Sequence, residues 1–276
     1  MPTIPSTLRL PRPDGLAVAI GLLCGLFVAW SLPRLPITWA ETALLDLPIP
    51  PATTVWGVVA VTGLVGGAVW LLSEFVTGVV ETVVRRRLTL PLVVVTGSGP
   101  IATAVLARIG GGPPVEDALG LLVVAAAGVV GSYGATRHAR YRTETESCHD
   151  RVVVTTSNRW HLTVGGLVGV VGTAVVAVLW GWDLGLSMGV SVALSVAARS
   201  DPDGRCYALD SGVVLESSAG TAVHLPWRGL DGVDADGDRL QVGTLVPYPA
   251  VRRRVAPDAA TASEFVDTVR RLRRRS

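Results

Sequence analysis

The sequence predicts a polytopic α-helical membrane protein of about six transmembrane helices, followed by a small α+β domain of antiparallel strands closed by a C-terminal helix. Three observations predict it. Six apolar runs, at about 15–32, 55–72, 88–109, 118–135, 162–180 and 184–198, approach the length of about 20 residues needed to cross a hydrocarbon layer of roughly 30 Å. The chain is 49% apolar and only 17% charged, against about 25% charged in soluble proteins. Its arginines also fall almost entirely on one side of the alternating runs. The expected division is a transmembrane bundle over 1–199 and a cytosolic domain over 200–276.

The first run follows Arg9 and Arg12, as a secretory signal would. It spans Gly15 to Leu32, longer than the roughly 7–15 residues of a signal's apolar segment, and no small-x-small cleavage pattern follows. It therefore reads as the first membrane helix. Arg85, Arg86 and Arg87 lie between runs two and three; Arg137, Arg140, Arg142, Arg151 and Arg159 lie between runs four and five; Arg199 follows run six. The opposite connections carry Glu41, Asp46, Glu116, Asp117 and Asp183, with Arg34 and, at the edge of run three, Arg108. Positive charge stays on the cytoplasmic side, so both termini are expected inside a cell (plasma) membrane. An even number of spans follows, six or, failing that, four. Trp39, Trp56, Trp160, Trp180 and Trp182 sit near run ends, where the indole prefers the interface.

Run three contains Thr96-Gly97-Ser98-Gly99-Pro100. Proline removes a backbone donor and glycine loosens the chain, so Gly97, Gly99 and Pro100 mark a candidate helix break. The plainer alternative is a proline kink with Thr96 and Ser98 bonding back to their own helix. Small-xxx-small pairs occur at Gly21/Gly25, Gly63/Gly67 and Gly165/Gly169, and a stripe runs Gly181, Gly185, Gly189, Ala193, Ala197. These suit close helix packing within the chain, with homodimerisation as the alternative. No ionisable side chain lies near the centre of a run, which counts against a pump or proton-coupled transporter.

The segment from Thr136 to His161 reads as a polar loop, with a β-prone stretch at Val152–Thr156 that is expected either to form a strand or to continue span five as a cytoplasmic extension. Glu144, Glu146, Cys148, His149 and Asp150 match no metal-ligand spacing. Cys24, Cys148 and Cys206 read as reduced thiols, and His138, His149, His161 and His224 belong to no catalytic motif. No cofactor, metal or catalytic residue is expected. The 24 basic residues are all arginine, which reflects composition bias rather than selection for guanidinium chemistry.

Beyond Asp201 the pattern changes to short strands, Arg205–Leu209, Val213–Ser217, Ala222–Pro226, Gly232–Ala235 and Arg239–Val242, with glycine turns between them. A helix follows, with Thr261 and Glu264 as a capping pair and Ala262, Phe265, Val266, Val269 and Leu272 on one face. Asp231, Asp234, Asp236 and Asp238 lack the glycine and glutamate of an EF-hand and read as a hairpin turn.

Tyr207–Leu215, then His224-Leu225-Pro226-Trp227-Arg228-Gly229-Leu230-Asp231-Gly232-Val233, resembles the short prokaryotic PH-like domains, in which a Pro-Trp segment leads to a second hairpin and a C-terminal helix. The resemblance covers about residues 200–276, and Pro226, Trp227 and Val233 carry it as structural positions. Together with the membrane spans and the lack of any acid, base or nucleophile constellation, it leads to the expectation of a non-enzymatic membrane-anchored scaffold or sensor whose module binds a protein partner or an anionic lipid surface. Arg252, Arg253, Arg254, Arg270, Arg271, Arg273, Arg274 and Arg275 are the candidate contacts, each contributing about 1 kcal/mol near an anionic leaflet; a solvated basic helix end is the alternative. Base-stacking aromatics are missing beside them, so nucleic acid is not an expected partner. The alternative function is a small-solute permease or channel built around the broken third helix, with the domain as regulator.

Overall fold

The computed structural model describes residues 14–34, 55–76, 78–110, 118–155, 170–179, 203–218, 220–244 and 254–275. Among these, Gly15–Arg34, Val55–Ser73, Thr89–Ile109 and Ala118–Thr145 are long and apolar enough to cross a membrane. They belong to helices α1 (Gly15–Ser31, continued by a 3₁₀ turn to Arg34), α2 (Val55–Phe75), α4 (Thr89–Ile109) and α5 (Ala118–Thr145). A short helix α3 (Val79–Arg85) joins α2 to α4. Of the expected fifth and sixth spans, only an apolar helix α6 (Val170–Leu179) lies within the described residues. The remainder of 162–198 lies outside them, as do Trp39, Trp160, Trp180, Trp182 and the Gly165/Gly169 and Gly181–Ala197 motifs.

Helix α1 starts where Asp14 caps it, its carboxylate accepting from the Leu16 N–H at 2.8 Å. The same carboxylate takes Arg137 Nη2 of α5 at 2.7 Å, so α1 begins where α5 leaves the apolar layer. At the other end Arg34 folds back over the Trp30 ring, 4.5 Å from its centroid, its stem lying along apolar surface.

Glycine sets the helix contacts. A Cβ on Gly21 would stand 2.6 Å from the Gly66 carbonyl oxygen, and one on Gly25 would stand 2.5 Å from that of Thr62. The Gly21/Gly25 motif therefore packs within the chain, against Thr62 and Gly66 of α2. Gly63 and Gly67 face open space. Leu23 and Trp30 of α1 form a second contact with Val123, Ala127 and Val130 of α5.

The candidate break in run three is not a break: α4 runs uninterrupted through Pro100. Thr96 Oγ1 donates to the Leu92 carbonyl at 2.8 Å and Ser98 Oγ to the Val95 carbonyl at 3.2 Å, so the hydroxyls bond back to their own helix. The glycines serve packing. A Cβ on Gly99 would meet the Trp30 ring at 3.1 Å, and Gly97 lies against Ala127.

Helix α5 carries the chain out of the bundle. Its 28 residues at about 1.5 Å each span roughly 42 Å, against roughly 30 Å of hydrocarbon. Residues 136–145, expected as loop, are the last turns of this helix. They lead directly into strand β1 (Cys148–Thr155).

That strand moves the domain boundary. The sheet contains β1, β2 (Asp203–Leu209), β3 (Gly212–Ser217), β4 (Ala222–Pro226), β5 (Leu230–Asp236), β6 (Arg239–Thr244) and β7 (Arg254–Val255). Its seven strands run in the order β4-β3-β2-β1-β7-β6-β5, with every pairing antiparallel. β1 is therefore the central strand, although it lies outside the expected 200–276 domain. Thr155 pairs with Asp203, so the chain leaves the sheet and re-enters it at neighbouring positions.

β4 and β5, the two edges, are joined only by the 3₁₀ turn Trp227–Gly229. A connection that short requires the sheet to curl until its edges approach at that corner. Trp227 fills the concave side with Val154, Cys206, Val213, Leu215 and Val233. Helix α7 (Ala259–Arg273) closes it with Ala262, Phe265, Val266, Val269 and Leu272. The α7 cap is one turn earlier than expected: Asp258 accepts from the Thr261 N–H at 2.6 Å, and that bond holds its carboxyl below the usual range.

Replacing Gly25 or Gly66 with leucine should cost about 1–3 kcal/mol through overpacking, whereas Gly63→Leu should be close to neutral. Thermal unfolding of the three variants in detergent checks this ordering.

Candidate functional site

Three segments meet where the bundle joins the sheet: the turn between α3 and α4, the polar end of α5, and strands β3 and β4. Arg87 lies at their centre. Its backbone takes φ = 54°, the one left-handed non-glycine among the described residues, a conformation costing roughly 1–2 kcal/mol. That geometry turns the side chain under the bundle toward the sheet.

Arg87 serves two imidazoles at once. Its Nε–H donates to His138 Nε2 at 2.8 Å, and Nη2 donates to His224 Nδ1 at 2.5 Å. Each ring must present a lone pair there, which fixes both tautomers. His138 then donates Nδ1–H to the Val84 carbonyl at 2.7 Å, and His224 donates Nε2–H to Ser211 Oγ at 2.9 Å. The Ser211 amide donates to Glu146 Oε2 at 3.0 Å, and Glu146 Oε1 receives Arg142 Nη1 at 2.5 Å. A hydrogen-bonded chain thus runs from α3 through α5 to the β2–β3 turn and back to the end of α5. His138 and His224 are both buried, their ring centroids 5.6 Å apart.

Electrostatics keeps His224 neutral. Burial lowers its pKa to about 3, assisted by the charge of Arg87, by His138 and by Arg142, with only Glu146 opposing. For Glu146, burial alone would raise the pKa, but the Ser211 and Arg142 hydrogen bonds outweigh it and hold the carboxyl below its usual range. Burial, then Arg142, lowers Arg87, which still remains a cation because arginine starts so high.

Around this node, α5 covers the convex side of the sheet. Ala139 packs on Leu209, Val214 and Ala222. Arg140 Nη2 donates to the Gly220 carbonyl at 2.7 Å, and Thr136 Oγ1 accepts the Ala222 N–H at 3.5 Å. These contacts fasten the β4 edge to the helix.

The residues singled out from sequence fall elsewhere. Arg252 and Arg253 lie outside the described residues, and Arg254 in β7 pairs through its backbone with Leu240 in β6. Arg270 holds Asp234 at 2.6 Å, while Arg273 donates to the Leu230 and Asp231 carbonyls. Arg271 reaches Thr268 Oγ1, and Arg274 and Arg275 are exposed. Arg270 and Arg273 thus contact their own domain while remaining exposed beside Arg271, Arg274 and Arg275. Pro226 pairs with Gly212, Trp227 Nε1–H donates to the Asp210 carbonyl at 2.7 Å, and Val233 is in the core. His149 meets Asp210 at 2.6 Å, and Asp150 accepts from the Arg151 N–H. Among the described residues no three His, Cys, Asp or Glu are grouped to hold a metal.

Sequence reasoning missed Arg87, His138 and His224 as a set. They are distant in the chain, and no spacing rule links a loop arginine to a helix histidine and a strand histidine. In comparisons with known proteins the chain matches no family model, no curated protein and no solved structure.

The His224 shift sets a pH dependence. Its folded pKa of about 3 lies below the unfolded value near 6.5, so the unfolded chain binds the extra proton. This contribution to stability is complete above about pH 6.5 and is lost as pH falls toward 3, at up to about 1.4 kcal/mol per pH unit. His224→Gln should flatten that slope by about one proton when denaturant unfolding is followed between pH 7.5 and 5.

Proposed function

We propose that this chain is a non-enzymatic membrane-anchored scaffold or sensor. Its cytosolic PH-like module binds a protein partner or an anionic lipid surface, and both termini lie in the cytoplasm of a cell whose plasma membrane holds the bundle. One observation carries this reading: the central strand β1 is the direct continuation of α5, and the Arg87 node ties the same sheet to the turn between α3 and α4. A module built in this way moves with its bundle, which is what a scaffold or sensor requires.

Further features support it. The curled antiparallel sheet closed by a C-terminal helix suits the PH-like reading, with Trp227 at the corner joining the two edges. Arg87 occupies the Nδ1 lone pair of His224, so Nε2 carries the proton and donates to Ser211 Oγ instead of accepting from it, and the pair is not arranged as general base and nucleophile. The permease alternative loses its main support, because α4 is continuous and Gly99 makes room for Trp30. Lipid contact falls to the exposed arginines at the end of α7 and just beyond it, Arg271, Arg274 and Arg275 above all, since Arg270 and Arg273 also bond to β5.

The experiment uses the full chain, because an isolated 201–276 fragment would lack β1. In nanodiscs, hydrogen exchange across Ala259–Arg275 should slow with anionic lipid relative to neutral lipid, and the effect should fade at high salt. No lipid effect would remove the lipid-surface arm and leave the protein-partner arm. Solute uptake by proteoliposomes that Gly99→Leu abolishes would overturn the scaffold reading in favour of a permease.

A further inference from the structure

A second polar feature lies at the same end of the bundle, separate from the Arg87 node. A cleft of about 460 Å³ opens between α3, the start of α1 and the polar turns of α5. Asp14, Glu81, Arg137, Arg140, Tyr141 and Glu144 supply its polar lining. The guanidiniums are already positioned: Arg137 is held by Asp14 and Arg140 by the Gly220 carbonyl, each through one of five N–H donors. Glu81 and Glu144 are exposed, and neither has a hydrogen-bond or ion-pair partner among the described residues.

The cleft's depth in the structure narrows its ligand. Asp14 immediately precedes α1 and Ser73 ends the apolar window of α2, and both line the cleft. A bilayer around these helices places its headgroup layer at that level. A purely anionic headgroup would approach the arginines against two unpaired carboxylates. A purely cationic one would meet two guanidiniums. A group with phosphate and ammonium a few ångströms apart satisfies both, with charge-assisted hydrogen bonds at each end. We propose that this cleft binds a phospholipid headgroup carrying a phosphate and a primary ammonium, with Arg137 and Arg140 on the phosphate and Glu81 and Glu144 on the ammonium. The proposal rests on the membrane-spanning reading of α1, α2, α4 and α5, not on the role given to the sheet.

The test is lipid retention by the full chain, read by native mass spectrometry after extraction from nanodiscs holding equal phosphatidylethanolamine and phosphatidylglycerol of matched acyl chains. Retention should favour phosphatidylethanolamine by about tenfold, and Glu81→Gln/Glu144→Gln should abolish the preference while keeping the wild-type unfolding temperature. If the double variant unfolds early, Glu81→Gln alone serves, because that exposed side chain holds nothing in place. Glu264→Gln, on the exposed face of α7, should leave the preference intact. Equal retention of the two lipids by the wild type, or an unchanged preference in the folded glutamine variants, would overturn the proposal. Displacement of the lipid by free phosphoethanolamine at equal concentration would overturn its assignment to a lipid. Failure of the chain to enter nanodiscs would remove the membrane reading as well, whereas loss of the lipid preference alone leaves the scaffold reading untouched.

Discussion

One guanidinium with two imidazole acceptors is the constraint around which the lower half of this molecule is arranged. For Arg87 to reach His138 and His224 together, the turn between α3 and α4 must adopt a left-handed residue, α5 must extend past the apolar layer, and β4 must lie beside it. Each requirement is local, yet together they fix the position of the sheet beneath the bundle. Removing one partner would leave a buried donor or acceptor without a mate, a loss of about 1–3 kcal/mol and more where charge is involved. The contact is therefore worth more as a geometric constraint than its net stabilisation suggests.

The bundle above shows a simpler logic. Between α1 and α2 no polar bond is needed, because glycine lets the two backbones approach until carbonyl oxygens fill the space of missing side chains. Between α4 and α5 the same role falls to Gly134, whose absent Cβ leaves room for the Thr89 side chain. Packing of this kind suits a lipid solvent, where apolar burial provides little drive and close van der Waals contact provides most of it.

The fold was partly legible in the sequence, and the reasons differ by element. Apolar run length is a one-dimensional signal, so the first three apolar helices and the start of the fourth were readable to within a few residues, while the polar turns that extend the fourth to Thr145 were not. Strands β2 to β6 were readable because glycine turns separate them. β1 was harder: Val152, Val153 and Val154 showed strand propensity, but pairing across residues 156–202 leaves no local trace. Pro100 left two readings open, a broken helix or one to which Thr96 and Ser98 bond back, and the structure takes the second. The arginine count carries no information on pairing, and so did not reveal that Arg270 and Arg273 bond to their own β5 strand. The Arg87 node was invisible because three residues far apart in the chain meet only after both halves have folded.

The pairing of Thr155 with Asp203 imposes an order of events during synthesis. β1 emerges from the ribosome first, but β2 follows only after the whole of 156–202, a gap of roughly 2–10 s at 5–20 residues per second. β7 and α7 come later still. Through that interval the strand that will become the centre of the sheet has both edges open, attached to a helix already committed to its place. Nucleation of the module must therefore wait for long-range closure, which is intrinsically slow. In a nascent chain that exposed strand is where a chaperone or a second nascent copy would find its opening.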